Sequence, residues 1–154
     1  MGSKTIDAII LTMNTPDKNL MSRRNRLKML FLVFLLATAV ALLDYLGQIF
    51  RLYWALWWFD LVMHFLGGLV VGLFLAWLYV FVLKKKPDGR LIWASVVGVI
   101  IIGSLWEIYE VFIGINVTHE PYVWDTTIDI ILDITGAIIG SKYIKNQIEI
   151  SNAK

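Results

Sequence analysis

Four long apolar runs, broken only by short charged stretches, constrain this chain more than any other feature. A hydrocarbon core of roughly 30 Å needs about 20 mostly apolar residues in helical form, because backbone groups there find no water to bond. Runs of that length occupy residues 28–47, 58–83, 91–113 and 125–143. With connections this short, neighbouring helices must run antiparallel. The expected fold is therefore all-α: a polytopic membrane protein whose four transmembrane helices form one antiparallel bundle. Composition agrees, since 58% of the 154 residues are hydrophobic, as in membrane chains. A polar lead (1–27) and a short tail (146–154) flank the membrane domain (28–145).

Orientation follows from the basic residues. They cluster before the first run (Arg23, Arg24, Arg26, Lys28), between the second and third (Lys84, Lys85, Lys86, Arg90) and after the fourth (Lys142, Lys145). All three clusters fall on one side of a four-span bundle, which the positive-inside rule makes cytoplasmic. Both termini are expected inside, and the chain in a cell membrane as a multi-pass protein. The basic runs read as topology signals in contact with anionic lipid. They do not read as a nucleic-acid surface, because no aromatic platform interleaves them. The lead contains one short apolar run, Ile6 to Met13, suited to the membrane interface, and the first run is a retained helix with no small-residue cleavage site after it. No cysteine is present, which excludes disulfides and thiolate metal sites.

Against this apolar background stand a histidine and several acids. Asp60 and His64 open the second run, Glu107 and Glu110 close the third, and Asp125, Asp129 and Asp133 open the fourth. The alternating topology puts all of them in the outer half. Angle is an independent test, since successive helical residues turn by about 100°. Asp125, Asp129, Asp133, Gly136 and Gly140 share an arc of roughly 80°, Gly103, Glu107, Glu110 and Gly114 one of roughly 60°, and Asp60, His64, Gly67 and Gly68 one of about 100°. Small residues let membrane helices approach closely, so these faces should point into the bundle, with Gly68-x3-Gly72 and Gly136-x3-Gly140 as packing seams. The carboxylates then converge.

A charge at membrane depth costs several kcal/mol unless it is paired or hydrated. Six carboxylates and one imidazole do not compensate one another, and Arg51 in the first outer loop is the nearest cation in sequence. Some acids are protonated, or they line a watery vestibule, or a metal cation neutralises them. Asp125 as a helix N-cap and Asp60 near a helix N-terminus have ordinary explanations. Asp129, Asp133 and His64 lie deeper and do not. The reading adopted is a divalent metal site drawn from Asp60, His64, Glu107, Glu110, Asp125, Asp129 and Asp133. One imidazole among oxygens suits Zn, Mn, Fe or Mg better than a soft metal. His119, beside Glu120 in the last outer loop, shares no such phase, and "NVT" in that loop matches a glycosylation sequon. The aromatics of "YWALWW" and "PYVW" read as an interfacial belt.

The combination Asp60-x3-His64-Phe65, Glu107, and Asp129-x3-Asp133-x2-Gly136-Ala137-x2-Gly140 resembles the VanZ-like membrane proteins. The stretches "WEIYE" and "YVWDTTIDI" bring it closer to the YjdF-type inner-membrane proteins, an uncharacterised family. The resemblance covers roughly residues 57–140. It implies a small polytopic cell-membrane protein and, for the VanZ-like members, a link to teicoplanin resistance and the cell envelope. Asp133 stands where those have asparagine and Glu110 where they have glutamine, and no arginine precedes the last run. Each departure makes the site more acidic.

Three functions compete. A metal-dependent enzyme would act on a lipid-linked or phosphate-bearing substrate at the outer leaflet, with Glu107 as general base. No nucleophile constellation accompanies it, because Ser104 has no histidine at helical spacing. A non-catalytic lipid-binding or structural subunit would use the cation to pin four helices. A proton- or metal-ion-coupled transporter ranks third, since the inner half of each run is almost wholly apolar. Membrane lipids are the partners in all three, and a homo-oligomer is compatible with each.

Overall fold

The computed structural model describes residues 21–113 and 122–153, and within them every regular element is helical. Helix α1 (Arg23–Ile49) starts at Ser22, whose hydroxyl accepts from the Asn25 N–H at 3.4 Å, satisfying one of the donors a helix start leaves open. The first run thus begins a full turn earlier than its apolar residues suggest, with three arginines in its opening turn. It ends where Arg51 adopts left-handed backbone angles and leads into the short α2 (Leu52–Ala55). Helix α3 (Phe59–Trp77) widens into a π-type turn over Leu78–Val82, closed by the Leu83 N–H on the Leu78 carbonyl at 3.0 Å. Lys84, again left-handed, ends it. Helix α4 (Gly89–Ile113) begins beside Asp88, whose carboxylate accepts from the Arg90 N–H. Helix α5 runs over Tyr122–Asn152.

Three of these helices are long and apolar enough to cross a membrane: Arg23–Ile49, Phe59–Val82 and Gly89–Phe112. Helix α5 is longer than any of them. Asp125, Asp129 and Asp133 interrupt its apolar stretch, and Lys142 and Lys145 follow. The helix continues through residues 146–152, the start of the tail, to Asn152, and Ile148 is buried. Residues Ile144 and Ile148, four apart, keep the inward stripe of α5 going past the lysines.

Helix α3 is the hub. It packs most extensively on α5, and also on α4 and α1, while α5 packs on α4 as well. The α3–α5 contact is backbone on backbone. A methyl group added at Gly68 would fall on the backbone of Asp133, and one at Gly72 on that of Ala137. From the other side, Gly136 faces the backbone of Phe65 and Leu69, and Gly140 that of Leu69 and Leu73. The two seams read from the sequence are therefore the two halves of one seam, as close-packed membrane helices require.

The two ends of the bundle are filled differently. At the end where α1 begins, Met29 and Val33 of α1 meet Leu73, Ala76, Val80 and Phe81 of α3 and its wide turn, Leu91 of α4, and Ile144 and Ile148 of α5. The Trp77 indole N–H donates to the Arg26 carbonyl across α1 and α3 at 3.2 Å. At the other end the buried polar side chains are His64, Glu107, Asp129 and Asp133, beside Phe59 and Met63. Helix α1 buries only Met29, Val33 and Gly47, the last against Phe59. Between α1, α3 and α4 lies a cavity of about 400 Å³.

Candidate metal centre

Two residues of α3 start the site. Asp60 lies in the first turn of that helix and His64 one turn further in, so i, i+4 spacing stacks them on one face. The His64 ring is 5% exposed and is ringed by acids from three helices. Its Nε2 lies 3.7 Å from Asp60 Oδ1, 3.7 Å from Glu107 Oε1 of α4 and 3.9 Å from Asp129 Oδ2 of α5. Its Nδ1 lies 3.5 Å from Asp133 Oδ2, also of α5. The glycine seam places these two acids: Gly68 brings the backbone of Asp133 against α3, and Gly103 gives the Asp133 carboxylate room against α4.

Six of the seven sequence-selected residues fall into three overlapping sets of donor atoms, and Asp133 lies against His64 Nδ1. Donor atoms of His64, Glu107 and Asp129 all lie within 4.8 Å of one another, as do those of Asp60, His64 and Glu110, and those of Asp60, Asp125 and Asp129. The first set is wholly buried. Its members also hold polar atoms with no hydrogen-bond partner among the described residues: His64 Nε2, Glu107 Oε1 and Asp129 Oδ1. Buried polar atoms are nearly always partnered, so three residues of one cluster with such atoms are exceptional. Gly114, His119, Glu120 and the sequon lie outside the described residues.

Three supporting side chains were not singled out by the sequence. The Thr126 hydroxyl donates to Glu107 Oε2 at 2.8 Å, which turns Oε1 toward His64. Its position, one residue after Asp125, lies about 20° beyond the acidic arc of α5. The Trp106 indole N–H donates to Glu110 Oε1 at 2.7 Å, a pairing that the i, i+4 spacing makes legible. Tyr53 departs from the belt reading. Its hydroxyl turns inward and donates to Asp44 Oδ1 at 2.6 Å, while Gln48 donates to the other oxygen. Burial, with Asp44 beside it, pushes the Tyr53 phenol well above its ordinary value, so it remains a donor. Trp54, Trp57 and Trp58 are exposed as a belt requires.

The family model described as predicted membrane protein, DUF2238, matches residues 7–147. The chain belongs to this family. DUF2238 is the family of the YjdF-type proteins, so that part of the resemblance holds, whereas the VanZ-like part is not matched. No curated protein matches the chain, and neither does any solved structure. As a DUF2238 member with three long apolar helices, it is a multi-pass membrane protein.

Proposed function

We propose that this DUF2238 protein binds a divalent metal ion through His64, Glu107 and Asp129, with Asp60, Asp133, Glu110 and Asp125 as further or alternating ligands. The observation that carries the reading is the convergence of three buried residues from α3, α4 and α5, each with an unpartnered polar atom. The separations support it. Ligands about 2.1 Å from a tetrahedral metal lie roughly 3.4 Å apart, and the three carboxylate oxygens around His64 Nε2 are 3.7 to 3.9 Å from it. These distances are too long for hydrogen bonds and slightly wider than a filled site, the direction in which oxygens around a cation contract. The ion would be zinc, manganese, iron or magnesium, because the set is one imidazole among oxygens.

In this reading α5 is the fourth transmembrane helix, tolerated in hydrocarbon because its acids face the cation and its glycines face α3. Both termini are cytoplasmic, and the site serves the outer leaflet of the cell envelope. Thr126 fixes the Glu107 carboxylate, as partners behind a metal ligand commonly do. A Glu107 so held would act as ligand, or as general base taking the proton of a water that attacks a lipid-linked phosphate, with the bound cation supplying positive charge to the phosphate oxygens. Ser95 offers no nucleophile, since its hydroxyl donates to the Leu91 carbonyl. The apolar core at the other end argues against an ion pathway through the bundle.

The test is metal content. Protein purified in detergent with neither added metal nor chelator, measured by inductively coupled plasma mass spectrometry, should carry about one divalent ion per chain. His64→Ala should carry almost none. Equal metal in both, or none in either, refutes the site.

A further inference from the structure

The cavity beside the cluster has a shape of its own. Its walls come from the middle of α1 (Ala37, Val40), of α3 (Val70, Val71) and of α4 (Val99, Ile102), and Asp60, His64 and Asp133 lie at its floor. Among the described residues, helix α1 leans on α3 but makes no extensive contact with α4, so these residues leave the cavity as a cleft open between those two helices. From Asp60 to Val71 it runs about 16 Å at roughly 1.5 Å per residue. That is about half of a hydrocarbon core of roughly 30 Å, the depth of one leaflet.

A cleft of this kind in membrane-crossing helices takes hydrocarbon. Apolar walls do not hold water, and leaving them bare forfeits dispersion contacts. The polar lining gathers at one end, where Asp44 and Tyr53 join Asp60, His64 and Asp133, and that end meets the metal-binding set. The occupant is then an amphiphile with its chain in the cleft and its head at the cluster. Charge selects the head. Six carboxylates repel an anion until a cation sits among them, and the ion then becomes the dominant local charge and draws an oxyanion. One position faces the open space directly: a methyl group added at Gly67 would meet nothing within 4 Å.

We propose that the cleft between α1 and α4 holds the hydrocarbon chain of a phosphate-headed lipid whose phosphate reaches the cation at His64. The choice of headgroup rests on the metal reading, whereas the chain site does not. Entry is lateral, from the leaflet at the Tyr53 end, without passage through water.

The probe is n-hexadecyl phosphate, titrated by calorimetry into the metal-loaded full chain in maltoside detergent. Gly67→Phe on α3 and Ala41→Phe on α1 fill the cleft from two walls, and the metal content of each reports whether the fold and the centre survive. Hexadecyl phosphate should bind wild type, and each variant should bind it about tenfold or more weakly, at unchanged metal content. Hexadecanol should bind wild type more weakly than the phosphate does. Unchanged phosphate affinity in a metal-loaded variant overturns the cleft site and leaves the metal reading standing. Chain binding that both variants lose, in a protein that holds no metal, overturns the metal reading and with it the phosphate head, while the chain site stands.

Discussion

The same three helices build two unlike interiors. At one end Leu73, Val80, Leu91, Ile144 and Ile148 close a dry core in which each is at most 3% exposed. At the other, the continuation of those helices buries His64, Glu107, Asp129 and Asp133 almost as completely. One seam, Gly68 and Gly72 against Gly136 and Gly140, runs between them. The dry end gains from filling space, and replacing one methyl there changes little else. The polar end gains nothing from filling space, since each desolvated carboxylate costs free energy until a partner arrives. In the proposed reading the polar region is kept for the cation it binds, and the dry end with its seam offsets its cost.

The comparison breaks most completely at the seam. Gly136→Leu drives a side chain into the backbone of Phe65 and Leu69, which cannot yield as a flexible side chain would. A loss above about 3 kcal/mol is expected, read as disappearance of the monodisperse peak in detergent chromatography and of bound metal together. Next comes the dry end alone. Ile144→Ala should cost about 2–5 kcal/mol of stability while metal per chain stays at the wild-type level. Metal lost together with stability there would mean the two ends are not separable.

At the polar end the sign reverses with ligand. His64→Ala should abolish the metal-dependent part of stability. Wild type in metal at about 100 times the dissociation constant should gain roughly 2.7 kcal/mol over chelated protein, seen as a higher melting temperature. The variant should melt alike with and without chelator. A smaller effect belongs to Thr126→Val, which frees Glu107 to turn. Metal affinity should fall about tenfold, with the chelated protein nearly unchanged. Smallest is Tyr53→Phe, worth about 1 kcal/mol, with no change in metal. Folding raises the Tyr53 value above the ordinary 10.0, so the unfolded chain gives up that proton first. Wild type should therefore lose stability as pH climbs past 10, and the phenylalanine variant should lose less.

Much of this was legible from residue spacing. Phase on a helix does not depend on knowing the partner, so Asp129, Asp133, Gly136 and Gly140 could be put on one face of α5 and His64 with Gly68 on one face of α3. That acids and glycines share a face was the informative coincidence, because the glycine decides how near the next backbone comes and the acid decides what waits there. Less legible were groups whose role depends on a neighbour in space. Thr126 and Tyr53 each hold one carboxylate, and a hydroxyl beside a membrane helix carries no phase strong enough to say which. The helical reach of α5 to Asn152 was hidden for another reason: Lys142 and Lys145 look like the end of a span, while Ile144 and Ile148 between and after them keep a four-residue stripe.

Helix α1 is fully buried only at Met29 and Val33 in its first half and at Gly47 near its far end, the last two some 14 residues or about 21 Å apart. Mechanically it is a beam clipped at two points over a gap. The α3–α5 pair cannot slide, because glycine faces mesh backbone with backbone, so it serves as the fixed frame. A beam held that way bows at mid-span with little strain at its supports. Whatever crosses into the middle of this protein can do so by flexing one helix, with the frame and its buried acids left in register.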